Sequence, residues 1–226
     1  MPHRRIISAL TRDLVMKDER IKDYVFSTAL PSDVRGFIEQ HHYSASINGC
    51  KITQCYALHK DGVLIGALLF GALSTTAWKR YGDSEKDVIE LRRLCLLDKC
   101  AKNTATWFVS RALKAIRKNH GFKVCISYAD PYHGHAGYVY QAGNWSYLGT
   151  TSPDVLLKTP QGKLYHSRAM RTKYKGRFKP FALRLQALQL AGELTEVKVP
   201  GKHVYSYRLD GINKPSSTPY PKLNVL

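Results

Sequence analysis

The sequence predicts an α/β fold in which a mixed central sheet is flanked by helices, within a single domain over residues 1–210. Three observations support this fold class: a clear β-hairpin signal near residue 60, an amphipathic helix that begins at Thr104, and a short apolar strand soon after that helix. The chain has 226 residues, of which 44% are hydrophobic, so it is long enough to bury one large core.

The first half of the chain has the clearest local signals. Pro31–Tyr43 opens with a Pro-Ser-Asp cap signal and predicts a short helix. Thr53–His59 and Val63–Phe70 flank a Lys-Asp-Gly turn, which is typical of a β-hairpin. Partial alternation of apolar residues over Val88–Leu97 predicts a third strand.

The second half of the chain begins with the strongest helical pattern. Thr104–Asn119 places its apolar residues on one face, and Asn-His-Gly predicts the end of this helix. Phe122–Tyr128 is apolar and predicts a central strand. A loose tail is expected from Gly211 to residue 226, because this segment is rich in Pro and Ser. The remaining expected elements are a short helix over Gly134–Ala142, strands over Trp145–Gly149, Val155–Lys158 and Lys163–His166, a helix over Pro180–Ala191, and a strand over Val204–Leu209.

The charge of the chain predicts a polyanionic partner. Thirty-five Lys and Arg against 17 Asp and Glu give a net charge of +18, and self-repulsion of this size is usually tolerated because the partner is anionic. The excess is concentrated in a basic segment over residues 158–184, where eight cations stand between Lys163 and Arg184 with no acid. Aromatic residues are interleaved with them, which favours double-stranded DNA over a solvated face or a membrane surface. The predicted DNA-binding residues are Tyr132, Arg168, Arg171, Lys173, Lys175, Arg177 and Lys179.

The sequence also limits location and redox chemistry. No stretch approaches the roughly 18 apolar residues that a membrane helix needs, and no signal peptide is recognisable, so we expect a cytoplasmic protein without a membrane partner. Five cysteines without an export signal indicate reduced thiols. Four residues separate Cys50 from Cys55, and four separate Cys95 from Cys100. This spacing is at the upper limit of that of zinc ligands, so a structural zinc is a minor alternative.

Ser127–Asn144 is the predicted active-site segment. It reads SYADPYHGHAGYVYQAGN and follows an apolar strand, and ligand sites of open α/β sheets lie beyond the carboxyl ends of strands. An ordinary polar loop with a turn at Asp130-Pro131 is the structural alternative. The concentration of titratable and aromatic groups in 18 residues favours a site.

This segment, extended as SYADPYHGHAGYVYQAGNWSYLG, resembles the signature of the Mom family, phage-encoded proteins that modify adenine in DNA. Four further segments agree: His42-Tyr43-Ser44, ELRRLCLLD over Glu90–Asp98, NTATWFVSRA over Asn103–Ala112, and Gly201-Lys202-His203-Val204-Tyr205. The resemblance spans about residues 35–209. It implies a GNAT-like fold and an enzyme that converts adenine N6 into a carbamoylmethyl (acetamido) derivative, which protects phage DNA from restriction in the host bacterial cytoplasm.

The resemblance and the residue types suggest roles for individual side chains. The predicted catalytic set is Asp130, Ser127, Tyr140, His42 and Tyr43. In this set Asp130 accepts a hydrogen bond from N6–H and acts as general base, because it is the one carboxylate of the motif. Tyr132 or Tyr140 stacks on a flipped base. Ser127 ends its strand as a hydroxyl donor in the pocket.

The group donor is a small molecule that the sequence does not identify. Arg93, Lys102, Asn103 and Thr104 are the predicted cofactor-binding residues, because a buried Arg needs an anion or an acid such as Glu90, and a helix N-terminus can hold an anion. The preceding loop lacks the glycines of a GNAT pyrophosphate loop, so an acetyl-CoA-type donor is not established. The family's association with iron suggests His42, Asp130 and His135 as a two-His-one-carboxylate set.

Three other functions compete with adenine modification. A GNAT-type N-acetyltransferase acting on a protein or small molecule is disfavoured by the missing glycine loop and by the basic segment. A methyltransferase would need a strand followed by Gly-x-Gly, which is absent. A DNA-binding protein without catalysis would leave Ser127–Asn144 unexplained. A homodimer is compatible with the sequence, which carries no motif that decides the oligomeric state.

Overall fold

The computed structural model describes residues 20–73, 76–211 and 218–222. Its four α-helices in the described residues are α1 (Pro31–His41), α2 (Thr104–Asn119), α3 (Tyr138–Ala142) and α4 (Pro180–Leu190). Its strands there are β1 (Val25–Thr28), β2 (Ile52–Lys60), β3 (Val63–Gly71), β4 (Val88–Leu96), β5 (Val124–Ala129), β6 (Ser146–Thr150), β7 (Asp154–Lys158), β8 (Leu164–His166), β9 (Lys173–Tyr174), β10 (Arg177–Phe178), β11 (Thr195–Val199) and β12 (His203–Arg208). The predicted α/β fold with a mixed sheet and flanking helices is confirmed.

The chain forms two compact units. The first contains the described residues of Met1–Tyr128, Gly137–Leu148 and Tyr205–Tyr220, and the second contains Ala129–Ala136, Gly149–Val204 and the described part of Pro221–Leu226. The expectation of one domain over residues 1–210 stays a prediction. Most of the predicted loose tail lies outside the described residues.

The first unit holds most of a seven-stranded sheet in the order β1-β2-β3-β4-β5-β12-β6. The pairs from β1 to β4 are antiparallel, whereas β4 and β5 are parallel, so the sheet is mixed. The β2–β3 hairpin turns at Asp61 and Gly62, which both have positive φ, as a tight hairpin turn requires. Helix α1 buries Val34 and Ile38 in a cluster with apolar residues of β2 and β3.

Helix α2 packs its apolar face as predicted, since Phe108, Ala112 and Ile116 are fully buried. The expected helix over Gly134–Ala142 is wrong over Gly134–Gly137, where the structure has an irregular segment that follows a 3-10 turn over Pro131–His133. Gly134 and Gly137 both have positive φ, which interrupts a right-handed helix. A Cβ at Gly137 would lie 2.4 Å from the Tyr205 ring, so α3 starts only after this glycine.

The second unit contains an antiparallel sheet in the order β11-β7-β8, a two-stranded β9–β10 hairpin, and α4. Strands β1, β9, β10 and β11 were not expected from the sequence, whereas β7 and β8 were. No described helix is long and apolar enough to cross a membrane.

Candidate active site

A small cavity of about 80 Å³ lies within the second unit, on one face of its antiparallel sheet. Side chains alternate along a strand, so Asp154 and Leu156 of β7 share a face. Their register partners Val199 on β11 and His166 on β8 also line the cavity. Period-two alternation and strand register therefore bring polar residues from separate parts of the sequence to one wall.

Asp130 lines the same cavity and is the more buried of the two carboxylates there, the other being Asp154. Its Oδ1 accepts the backbone N–H of Tyr132 at 3.1 Å, which starts the 3-10 turn over Pro131–His133. Its Oδ2 lies 2.9 Å from the Nζ of Lys202, and the two side chains are 10% and 41% exposed. Each carboxylate oxygen has two acceptor positions, so each oxygen of Asp130 retains one position for a further donor while it holds these two.

Lys202 is positioned by its own backbone. Its N–H donates to the Thr151 hydroxyl at 2.9 Å, and its carbonyl accepts the Thr151 N–H at 2.9 Å. A Cβ at the preceding Gly201 would lie 1.8 Å from the carbonyl oxygen of Thr151. Only glycine permits this approach, so Gly201 fixes the segment that delivers the ammonium group to Asp130.

His166 and Asp154 form a second polar pair in the cavity wall. The Nδ1 of His166 lies 2.8 Å from Oδ2 of Asp154, while Oδ1 of Asp154 accepts the N–H of Val155 at 2.8 Å. Burial lowers the pKa of His166 from its ordinary value of 6.5, and the charge of Arg168 lowers it further. Asp154 acts in the opposite direction, because its carboxylate stabilises the imidazolium.

The predicted DNA-binding residues all lie in the second unit. Tyr132 lines the cavity and is 42% exposed. Arg168 and Arg171 are exposed on a 3-10 turn over Ser167–Arg171. The remaining cations, Lys173, Lys175, Arg177 and Lys179, belong to the β9–β10 hairpin or directly follow it.

This hairpin, with its flanking residues, is called here the basic hairpin (residues 173–179). Its turn is formed by Lys175 and Gly176, which both have positive φ, and the Lys179 N–H donates to the Thr172 carbonyl at its base. Every residue of the basic hairpin is exposed. Tyr174 is 64% exposed, and the ammonium of Lys175 lies 5.7 Å from the centre of its ring. The hairpin thus presents cations and aromatic faces together, without an acid among them.

Ser127 and Tyr140, two predicted catalytic residues, form a buried pair in the first unit. The Ser127 hydroxyl donates to the carbonyl oxygen of Leu91 at 3.1 Å, so the hydrogen shared with the Tyr140 hydroxyl at 2.7 Å comes from Tyr140. Burial raises the pKa of Tyr140 well above its ordinary value. Its ring packs against Trp145 and Tyr205, with centroids 5.1 and 5.2 Å away.

His42 and Tyr43 also lie in the first unit, directly after α1. The Nδ1 of His42 lies 2.8 Å from the hydroxyl oxygen of Ser44 and 3.1 Å from the backbone nitrogen of the same residue. The ring of His42 is buried and lies 4.3 Å from that of Tyr43, which is 42% exposed. The charge of a Tyr43 phenolate would raise the pKa of Tyr140.

The predicted cofactor residues of the first unit occupy two places. The Arg93 guanidinium donates to the backbone carbonyls of Ser46 at 3.1 Å and Arg92 at 2.7 Å, while Glu90 pairs with Arg92. The other three residues, Lys102, Asn103 and Thr104, lie at the start of α2, where Asn103 has a φ of 67°. The Thr104 hydroxyl donates a hydrogen bond to the carbonyl oxygen of Ala101 at 2.6 Å.

The proposed iron ligands do not form a metal site in the described residues. His42 belongs to the first unit, whereas Asp130 and His135 belong to the second. No group of three or more His, Cys, Asp or Glu side chains in the described parts of the chain could hold a metal ion. The set of His42, Asp130 and His135 therefore finds no support in the described residues and stays a prediction.

The profile of the Mom protein family matches residues 23–222. The chain belongs to the Mom protein family. It is also similar to the Methylcarbamoylase mom of Escherichia phage Mu, with 30% identity over 147 residues. That match covers 63% of this chain and 59% of the phage Mu protein, so the chain spans less than two thirds of its relative.

Solved structures similar to this chain include N-acetyltransferases. YncA of Salmonella typhimurium, a putative acetyltransferase solved with acetyl-CoA, has a TM-score of 0.47 at 12% identity and covers 86% of this chain and 99% of its own. The GNAT family N-acetyltransferase YhbS of Escherichia coli, solved with CoA, has a TM-score of 0.43 at 14% identity and covers 55% of this chain and 69% of its own.

Within the second unit, Asp130 and Tyr132 line one cavity. Within the first unit, Ser127 and Tyr140 share a hydrogen bond. Sequence reasoning missed three cavity residues altogether: Lys202, Asp154 and His166. Lys202 lies in the segment Gly201–Tyr205, and the resemblance of this segment to the family was the one signal that could have identified the residue. Asp154 and His166 gave no signal, because their pairing depends on the β7–β8 register.

Proposed function

We propose that this protein is an enzyme that modifies adenine in double-stranded DNA, transferring a carbamoylmethyl group from a small-molecule donor to N6. Membership of the Mom protein family and the similarity to the phage Mu methylcarbamoylase support this function. The observation that carries it is that the second unit contains both a polar cavity with a carboxylate and the exposed basic hairpin.

The basic hairpin supplies the affinity for DNA. Its cations are suited to phosphates, and binding of phosphates releases counterions from the duplex. Exposed Tyr174 and Phe178 offer faces on which bases or sugars can stack. Neither feature depends on DNA sequence, so the hairpin accounts for attachment to DNA in general.

The cavity accounts for recognition of the amine. N6 is paired inside the duplex, so the target adenine has to flip out before it can react. Asp130 accepts a hydrogen bond from one N6–H at a remaining acceptor position, and the exposed ring of Tyr132 stacks on the base. Lys202 keeps the carboxylate paired when no substrate is bound.

The reaction replaces one hydrogen of the amine. A bond forms between N6 and the methylene carbon of the donor, the bond between that carbon and its leaving group breaks, and the electron pair departs with the leaving group. One N6 proton is released. Arg93 and the start of α2 remain our candidates for binding the donor, because a guanidinium and free helix N–H groups both favour anions. No step is assigned to iron.

Biologically, the modified adenine protects phage DNA from restriction enzymes within the host bacterium. A GNAT-type acetyltransfer to a protein or small molecule remains the alternative function, and it predicts no change in the DNA.

Mass spectrometry of nucleosides tests the proposal. DNA from bacteria that express the protein should contain a deoxyadenosine heavier by one C₂H₃NO unit, and DNA from cells with the empty vector should not. Deoxyadenosine of unchanged mass, despite soluble folded protein, would refute the function. A modified deoxyadenosine of another mass would keep the DNA substrate but replace the transferred group.

A further inference from the structure

The cavity contains a proton acceptor other than Asp130. The proposed reaction releases one N6 proton, and a proton on Oδ2 of Asp130 would break the 2.9 Å ion pair with Lys202. Oδ1 is already engaged with the Tyr132 N–H. Asp130 is therefore well suited to hold the amine and poorly placed to carry its proton away.

His166 has the properties that Asp130 lacks. A carboxylate can only accept, so the 2.8 Å contact with Asp154 fixes the proton of a neutral imidazole on Nδ1. The lone pair is then on Nε2, and the ring lines the same cavity as Asp130. This is the arrangement by which a carboxylate orients a histidine that acts as general base.

The surroundings of the ring also keep it neutral. Burial lowers the pKa of His166, as do the positive charges of Arg168 and Lys202, while Asp154 partly compensates. At neutral pH the ring can therefore accept a proton, and Asp154 stabilises the imidazolium that forms. His166 is identified as a proton acceptor by its contact with Asp154 and its place in the cavity wall, and its neutral state adds to this evidence.

We propose that His166 is the general base of the transfer, with Asp154 as its positioning residue and Asp130 as the group that holds the amine. This inference rests on the proposed function. As the N6–carbon bond forms and the leaving group departs with its electron pair, the N6 proton passes to Nε2 of His166. The proton of Nδ1 stays on the ring, hydrogen-bonded to Asp154.

The experiment compares His166→Gln with His120→Gln in cells, by measuring the modified deoxyadenosine. His120 lies at the end of α2 in the first unit and serves as the matched control. We expect His166→Gln to lower the modification about 100-fold, since a general base contributes 10²–10⁴-fold, and His120→Gln to leave it unchanged. Both variants should bind duplex DNA like the wild type, which verifies their fold.

A second measurement does not depend on activity. Nitrogen NMR of labelled histidines should show neutral His166 with its proton on Nδ1, and its pKa should fall further in Asp154→Asn because the stabilising charge is lost. Asp154→Glu should restore part of the modification that Asp154→Asn loses.

The outcomes separate the two proposals. If wild-type DNA is modified and His166→Gln modifies it equally well, the inference is overturned and the function stands. A neutral His166 with its proton on Nε2 would also overturn the inference. Unmodified wild-type DNA would refute the function, and the NMR result would still decide whether Asp154 sets the tautomer of His166.

Discussion

Two polar pairs, one in each unit, differ in the properties that decide whether a group can react. Ser127 and Tyr140 in the first unit are neutral, buried and bonded to each other. Asp130 and Lys202 in the second unit are charged, and the lysine side chain is 41% exposed at the cavity. Both pairs derive from segments that resemble the Mom family, so family resemblance alone does not distinguish their roles.

From this difference we infer that the first pair supports the fold, and we expect the second pair to meet the substrate of the proposed function. Removing one partner of a buried hydrogen bond leaves the other unsatisfied, which costs about 1–3 kcal/mol. Burial also raises the pKa of Tyr140, so its phenol stays protonated at neutral pH. A charged pair at a cavity can instead be opened by an incoming donor, because water and substrate replace the lost contact. The comparison therefore predicts activity defects in the second unit and stability defects in the first.

The largest effect is expected from Asp130→Asn. The amide keeps an oxygen for the Tyr132 N–H, but it loses the charge that faces Lys202 and the acceptor that holds the amine. We expect the modified deoxyadenosine to fall at least about 100-fold, because loss of a group that positions the reacting amine costs on this order. Nucleoside mass spectrometry measures this loss.

Asp61→Asn is the matched control, because Asp61 lies in the exposed β2–β3 turn with positive φ, which Asn accepts. It should retain full modification. If folded Asp130→Asn modifies DNA as well as the wild type does, Asp130 does not hold the amine. Of the residues predicted from the sequence, Tyr132 would then be the one left with a proposed role at the cavity.

A smaller effect, confined to DNA binding, is expected from the basic hairpin. Replacing Lys173, Lys175, Arg177 and Lys179 by Ala should weaken binding of duplex DNA at every sequence. The slope of log K against log salt should fall by about 3–4 if each cation contacts one phosphate. Fluorescence anisotropy over a series of salt concentrations measures the slope.

The control removes four exposed cations of the first unit, Arg111, Lys114, Arg117 and Lys118 of α2. This variant has the same net charge as the hairpin variant and a helix that tolerates Ala well. An equal fall in slope for both variants would show that net charge, and not the hairpin, attracts DNA.

The sequence predicted the elements whose signals are local. The β2–β3 hairpin follows from a short turn sequence, and the burial of the apolar face of α2 follows from its periodicity. The two-residue strands β9 and β10 were not predicted, because apolar and polar residues do not alternate along the basic hairpin. The predicted helix began too early, at Gly134, because Gly134 and Gly137 adopt positive φ.

The site was predictable only where it is contiguous. Asp130 and Tyr132 are two residues apart, and the turn between them was anticipated at Asp130-Pro131. Lys202, which pairs with Asp130, and His166, which pairs with Asp154, lie far along the chain from that turn. The placement of His166 depends on the β7–β8 register, and that of Lys202 depends on the close approach at Gly201. Neither is encoded in a local pattern, so charge and family resemblance pointed to Ser127–Asn144 but not to Lys202 and His166.

The smallest expected effect concerns the buried pair of the first unit and tests the other half of the comparison. Ser127→Ala leaves the Tyr140 hydroxyl and the Leu91 carbonyl without this partner, so the free energy of unfolding should fall by about 1–3 kcal/mol. Tyr140→Phe should cost less, because only Ser127 loses a donor. In the double variant no unpaired hydroxyl remains, so the total should be smaller than the sum of the two losses by about 1 kcal/mol.

Urea denaturation measures all three values, and Tyr138→Phe, on the same helix but 53% exposed, should change stability by less than about 0.5 kcal/mol. Strictly additive losses would mean that Ser127 and Tyr140 do not share a hydrogen bond in solution. The phenol of Tyr140 would then be available to a ligand, and the distinction between a supporting pair and a reacting pair would no longer hold.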